Sequence, residues 1–239
     1  MQRRIISSLS LLAAVAVAPA ADLGDLRSYG DSALPFTQVR IGFGQAPTAA
    51  RYDTTFVPDV GASVRYTDVV DTKAANTLSF GVYGGTLDPF GAVFGAELVY
   101  SWTNQSFLRR GVGGTIVTAP GTLQNTHYRL MGTNILAGAG WALSDRIHFE
   151  LLALGGIGFA KSGHPDGSLT LVDDAAGWYY QGGIRAGGYA TWKRLVIGGC
   201  VEYTSLHAKF RNNWSNGQSR SDAEVTGVGA RFEIGYRIQ

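Results

Sequence analysis

From Trp178 to Trp192 apolar and polar residues alternate without a break. Trp178, Tyr180, Gly182, Ile184, Ala186, Gly188, Ala190 and Trp192 share one parity. Tyr179, Gln181, Gly183, Arg185, Gly187, Tyr189 and Thr191 share the other. Side chains along a strand point alternately to opposite faces, so the segment is predicted as a strand with one uncharged face bounded by aromatics. Soluble strands average about 5–6 residues. Tyr180 to Trp192 rises roughly 40 Å, which is about 30 Å along a membrane normal at a tilt near 40°. That length predicts a bilayer-crossing strand.

The same pattern predicts eight strands: 36–45, about 77–85, 90–102, 127–143, 147–161, 177–193, 195–210 and 224–238. The second has an earlier possible start, because Ala62–Thr67 also has an extended pattern. The fourth carries apolar residues on both parities, which predicts a bulge. Short connections at 86–89, 144–146 and 193–194 alternate with longer polar stretches at 46–76, 103–126, 162–176 and 211–223. Short turns at one end, long loops at the other and both termini beside the short turns predict an outer-membrane barrel. The predicted fold is therefore all-β, an eight-stranded antiparallel up-and-down transmembrane β-barrel over residues 36–239. A soluble lipocalin-like barrel would share the parity with its faces reversed. The strand lengths and the aromatics at both ends of the uncharged face favour the membrane. An aromatic girdle is expected from Trp102, Trp178, Tyr180, Trp192, Tyr203 and Tyr236.

The first residues change the picture by giving a destination. Arg3 and Arg4, the apolar run Ile5–Ala18 and the small-residue site Ala18-Pro19-Ala20 predict a signal peptide over 1–20, with 21–35 as a periplasmic N-terminal segment. Without Arg3 and Arg4 the 20 basic residues fall to 18, equal to the 18 acidic ones, and no basic patch argues for nucleic acid. A single cysteine, Cys200, excludes an internal disulfide. Charged residues make up 16%, below the roughly 25% of soluble domains. The 33 glycines fall mostly inside strands, where they suit a tightly curved wall.

The candidate chemistry lies on the polar parity. Counting outward from the 193–194 corner places Arg185 opposite Glu202, an expected ion pair. Glu97, Glu150, Arg40, Arg231 and Glu233 would extend it into an interior network. Eight strands leave room only for side chains inside, so the network is expected to plug the barrel, with a narrow ion-pair-gated pore as the alternative. Ser205 and His207 lie two apart on the lipid-facing parity, and with Glu224 they would make an acyl-transfer set. His127, His148 and His164 lack metal-ligand spacing, so no metal and no cofactor are expected. His164-Pro-Asp-Gly167 is a turn signal first, with weak cation binding beside Asp173 and Asp174 as the alternative. Gly111–Gly114 lacks the Lys-Ser/Thr continuation of a phosphate loop. Phe107, Arg109, Arg110, Asn212, Asn213 and Trp214 are loop residues suited to lipopolysaccharide or a host surface.

With this strand rhythm and the terminal run Val228-Gly-Ala-Arg-Phe-Glu-Ile-Gly-Tyr-Arg-Ile238, the chain resembles the small eight-stranded outer-membrane barrels of the OmpA/OmpX type, over nearly all of 36–238. Such barrels often end on an aromatic residue that assists the barrel assembly machinery, whereas this chain ends Tyr236-Arg237-Ile238-Gln239. The resemblance implies a porin-like or surface protein of the Gram-negative outer membrane. It also implies lipid, lipopolysaccharide, the assembly machinery and a host or surface ligand as partners. A weaker likeness is to the lipid A deacylases, which carry a His and a Ser two apart on the barrel exterior. Here the order is Ser-x-His. The resulting expectation is a non-enzymatic structural or surface-interaction protein, with a lipid-modifying acyl hydrolase as the alternative.

Overall fold

The computed structural model describes residues 35–87, 90–112, 115–118, 126–163, 174–214 and 217–238. The expected signal peptide and residues 21–34 of the expected N-terminal segment lie outside these residues, and Pro35 already belongs to a strand. His164, the Pro-Asp-Gly turn and Asp173 lie outside them as well.

Among the described residues twelve strands form one antiparallel sheet: β1 Pro35–Ala46, β2 Arg51–Pro58, β3 Val64–Val70, β4 Ala75–Thr86, β5 Phe90–Gln105, β6 Phe107–Val112, β7 Thr115–Thr118, β8 Thr126–Ala142, β9 Ile147–Gly163, β10 Asp174–Trp192, β11 Leu195–Trp214 and β12 Gly217–Arg237. β1, β4, β5, β8, β9, β10, β11 and β12 are neighbours in that order, and β12 pairs back onto β1. The closing seam runs from Gln38 opposite Arg237 to Gln45 opposite Ala230. The fold is an eight-stranded antiparallel barrel, and its ring members are the eight strands that the alternation predicts.

Outside the ring the expectations need correction. The stretches 46–76 and 103–126 contain β2, β3, β6 and β7 rather than irregular loop. β12 outruns β1, and its first residues, 217–222, pair with β2 over 53–58. β3 and β6 then follow on from β2, and β7 from β6. Ala62–Thr67 thus belongs partly to a separate strand, β3, and not to the second barrel strand. The stretch 211–223 is not a loop either, because β11 reaches Trp214 and β12 begins at Gly217. Its polar composition hides a strand whose inward Ser221 hydroxyl lies 2.8 Å from that of Thr54. No bulge interrupts β8, whose register with β5 and β9 is continuous. Its two apolar parities have a simpler cause: Leu130 and Leu136 pack inward while Met131 and Ile135 face out.

The interior is layered. Toward the long connections Tyr52, Tyr128, Tyr179, Leu206, Phe210 and Val225 form one buried apolar cluster. Toward the short turns Phe36, Tyr83, Leu87, Val93, Leu136, Leu152 and Leu154 form another. Among them, the ring of Tyr83 fits because its neighbours lack side chains. A Cβ on Gly95 would lie 2.5 Å from Tyr83 Cδ1, and one on Gly81 2.8 Å from Cε2.

Candidate functional site in the barrel interior

Among the described residues, the polar parity of the ring strands delivers seven closely paired charged side chains to the enclosed space, with Arg237 half-buried over the Phe36 ring at the short-turn end. Arg185, on β10, stands directly opposite Glu202 on β11, with Nη2 2.6 Å from Glu202 Oε1. The same Nη2 lies 2.6 Å from Glu97 Oε1, a residue of β5. Arg185 Nη1 donates to the Tyr83 hydroxyl at 2.8 Å, and that hydroxyl donates to Glu97 Oε2 at 2.9 Å. Arg231, from β12, pairs with Glu202 and approaches Glu97 Oε2 at 3.2 Å. Asn134 donates to Glu97 Oε1 at 2.7 Å and accepts from Gln181 at 2.6 Å. Glu97 therefore gathers partners from four other strands.

Closer to the short turns Arg40 makes a two-pronged contact with Glu150, one prong at 2.8 Å. Its guanidinium lies between the rings of Tyr83 and Tyr189, 4.2 and 3.9 Å from their centroids, a double cation–π arrangement. His148 stacks on Tyr189 and places Nε2 3.3 Å from Glu150. Glu233 links the two groups, lying 3.8 Å from Arg40 and 3.9 Å from Arg231 while accepting from the Tyr189 hydroxyl at 2.9 Å. Cys200 Sγ points at Glu233 from 3.5 Å. Buried charges persist only when paired and hydrogen-bonded, and each of these has several partners. All seven sequence-singled residues, Arg40, Glu97, Glu150, Arg185, Glu202, Arg231 and Glu233, meet in one network. Sequence reasoning missed the polar groups that complete it: Tyr83, Asn134, Gln181 and Tyr189 share the inward parity, which was the available signal.

The outward face is the opposite. Phe43, Phe80, Phe94, Leu98, Ile135, Ile157, Ile184, Phe232 and Ile234 are exposed, Ile135 at 69% and Ile157 at 64%. Large apolar side chains turned outward around a closed ring, with the charges locked within, have a counterpart solvent only in lipid. The protein is a membrane-spanning β-barrel. Trp178, Tyr180, Trp192, Tyr203 and Tyr236 all stand exposed on this face, and Trp102 is half-buried against Tyr100, with ring centroids 5.3 Å apart. Trp192 and Tyr236 lie beside the short turns; Trp102, Trp178 and Tyr180 lie toward the long connections; Tyr203 pairs with Ile184 and stands between the two edges.

No protein-family model and no curated protein matches the chain. Solved structures of outer-membrane barrels are similar at low identity. The outer membrane protein OprG from Pseudomonas aeruginosa is 15% identical over 89% of this chain and 100% of that one, with a TM-score of 0.43. The outer membrane protease OmpT from Escherichia coli is 8% identical over 88% of this chain and 100% of that one, at 0.45. Ail, the attachment invasion locus protein of Yersinia pestis, is 10% identical over 82% of this chain and 98% of that one, at 0.33.

Elsewhere on the barrel the candidate groups are placed as follows. Ser205 is exposed and His207 half-buried on the lipid-facing side, where His207 stacks on Tyr180 at 5.4 Å. His207 Nδ1 lies 3.2 Å from Glu224 Oε1, while the Ser205 hydroxyl accepts from Thr226 at 3.4 Å. The acid–histidine half of an acyl-transfer set is assembled; the serine is engaged by a different neighbour. Arg110 is clasped by Asp68 at 2.7 and 2.9 Å over the ring of Tyr66, so it holds β6 to β3. Arg109 is exposed on β6, and Asn212 and Asn213 ride on β11. The side chains of Phe107 and Trp214 lie outside the described residues. Among the described residues no cluster of His, Cys, Asp and Glu is built to hold a metal ion.

Proposed function

We propose that this barrel acts without catalysis, as a structural and surface-interaction protein that presents the β2–β3–β6–β7 sheet and the β11–β12 hairpin outside the membrane. The observation that carries this reading is the filled interior. Arg40, Arg185 and Arg231 interlock with Glu97, Glu150, Glu202 and Glu233, and apolar layers pack on either side of them. The apolar belt anchors the barrel, the ion pairs fix its cross-section, and the rim sheet meets the surroundings. Lipid and lipopolysaccharide are its immediate neighbours; the assembly machinery is its partner during insertion.

Planar-bilayer recording tests the reading. Purified, heat-modifiable protein is expected to give no stepwise current. It is expected to stay silent when Arg185→Gln and Glu202→Gln are combined, because Arg40–Glu150 and the apolar layers remain. Currents from the unaltered protein would favour the gated-pore reading instead.

A second reading, lipid acyl hydrolysis at the wall, draws on the His207–Glu224 pair beside Ser205. Mass spectrometry of lipopolysaccharide incubated with the protein separates the two. No loss of acyl chains is expected, whereas deacylation abolished by both Ser205→Ala and His207→Ala would establish the enzyme.

A further inference from the structure

One inward charge stands apart from the seven that pair. Arg237 of β12 lies at the short-turn end of the barrel, with Cζ 5.7 Å from the centroid of the Phe36 ring. Among the described residues its guanidinium has no carboxylate partner, and the charge that acts on it is that of Arg40, a like one. Its Nε is buried without an acceptor. Directly opposite, on β1, stands Gln38, which is fully buried. Gln38 Oε1 accepts from Arg40 Nε at 3.1 Å. A guanidinium can only donate, so this contact fixes which end of the amide is the oxygen. The amide nitrogen is left buried, and it too has no acceptor. His148 borders the same Phe36 ring, with centroids 6.2 Å apart, but its Nε2 is turned to Glu150.

The two orphaned donors are neighbours. Residues directly opposite on adjacent strands have Cβ atoms about 4.5–5.5 Å apart, so a single small acceptor can meet both side chains. The Phe36 ring offers the guanidinium an electrostatic contact but no acceptor oxygen. Water would satisfy the hydrogen bonds and leave the charge unpaired, which is costly for a part-buried cation. A carboxylate answers both needs. It is planar, it accepts from a guanidinium in matched geometry, and its one negative charge equals the one unpaired positive charge. A phosphate dianion would exceed it. Half-buried Arg237 is reached from the short-turn end, beside Tyr236 of the aromatic girdle.

We infer that Arg237 and Gln38 form a carboxylate-binding site at the short-turn mouth of the barrel, Arg237 supplying the charge and Gln38 Nε2 a hydrogen bond. The ligand is a carboxylate offered from the aqueous phase on that side, as a free small acid or as the C-terminal group of a peptide. The site is distinct from the Arg40–Glu150 pair, and it does not depend on whether the interior conducts.

NMR of the folded full-length chain in maltoside micelles, which bring no anion of their own, tests the site through the side-chain N–H signals of Arg237 and Gln38. The probes are acetate, N-acetyl-alanyl-alanine, the C-terminal amide of that dipeptide, inorganic phosphate, and chloride at matched ionic strength. Acetate and the free-acid dipeptide are each expected to shift both signals along a saturable curve while the side-chain signal of Arg185 stays in place. The amide and chloride are expected to shift neither. Earlier saturation by the dipeptide would identify a peptide terminus as the ligand, and earlier saturation by acetate a free acid. Arg237→Gln is expected to raise the half-saturating concentration, read at Gln38, at least about tenfold through loss of a charge-assisted hydrogen bond. Absence of saturation by both acids would overturn the site, and this result stands even if the variant does not fold. Saturation by phosphate at a lower concentration than by either acid would overturn the carboxylate assignment. A folded Arg237→Gln variant that binds both acids as before would also overturn the site.

Discussion

Arg185 Nη2 and Glu97 Oε1 meet at 2.6 Å across the barrel interior, although 88 residues and three strand boundaries separate them. Both are buried, so neither can recover water if the other is removed. Arg185→Met is expected to destabilise the barrel by about 3 kcal/mol, the lower end for a broken buried pair, because Arg231 still faces Glu97. Combining it with Glu97→Gln is expected to recover part of that loss. Urea unfolding in detergent or lipid, followed by heat-modifiable mobility, measures both.

Tyr83 couples that pair to the wall. Its hydroxyl accepts from Arg185 and donates to Glu97, so Tyr83→Phe should cost about 1–3 kcal/mol through unsatisfied buried groups. Gly95→Val should cost more, because a Cβ there already collides with the ring. The two changes together are expected to cost less than their sum, since the ring that the new valine displaces no longer carries a hydroxyl. A double-mutant cycle on the same unfolding assay reads the coupling.

The belt predicts an effect of depth. Ile184 sits midway between Trp178 and Trp192 on the outward face, and Ile184→Arg is expected to cost about 2–4 kcal/mol in lipid. His207→Arg, near the upper edge, is expected to cost about 0–1 kcal/mol. Equal and negligible costs at both sites would mean that the outward face meets water.

On the rim sheet Asp53 provides a pH response. Partial burial works to raise its pKa, but donation from Arg51 at 2.8 and 2.9 Å and from Thr67 at 2.6 Å outweighs it and holds the carboxyl below its ordinary value. A depressed carboxylate contributes stability that is present above its unfolded pKa and lost as pH falls through the folded one. The β2–β3 hairpin is therefore expected to lose a small part of its stability in acid, below the usual carboxylate range. Amide hydrogen exchange of residues 51–70 against pH should show this, and Asp53→Asn should flatten the profile.

The ring was legible in the sequence because lipid outside and packed side chains inside impose strict alternation on each wall strand. Trp178 to Trp192 carries that constraint in its plainest form. β2, β3, β6 and β7 were not legible for the converse reason. Beyond the membrane the outer face meets water and carries Arg220, while the inward Ser219 and Ser221 are polar too, Ser221 meeting the Thr54 hydroxyl, so the run has the polarity of a loop even while it pairs in register with Phe56, Thr55 and Thr54. The interior was legible only in part. Parity shows which charges point inward, and counting from a tight corner aligns Arg185 with Glu202. Nothing local in the chain reveals that Glu97 lies within reach of two arginines, or that Arg40 is held between two tyrosine rings. Those contacts depend on the curvature and stagger of the closed wall.

The β1–β12 seam sets the order in which the molecule can be completed. Seven of the eight ring junctions join strands adjacent in the ring order from β1 to β12, and several need only a short turn. The eighth brings Gln38 to Arg237, nearly the whole described chain apart. Contacts between such distant positions are slow to form because the intervening chain must first be ordered. Until then β1 and β12 both present unpaired backbone edges, and every seam residue in the first strand has to wait for the last strand to exist. A chain interrupted before β12 leaves the outer edge of β1 without its partner, so closure of this ring waits on its final strand.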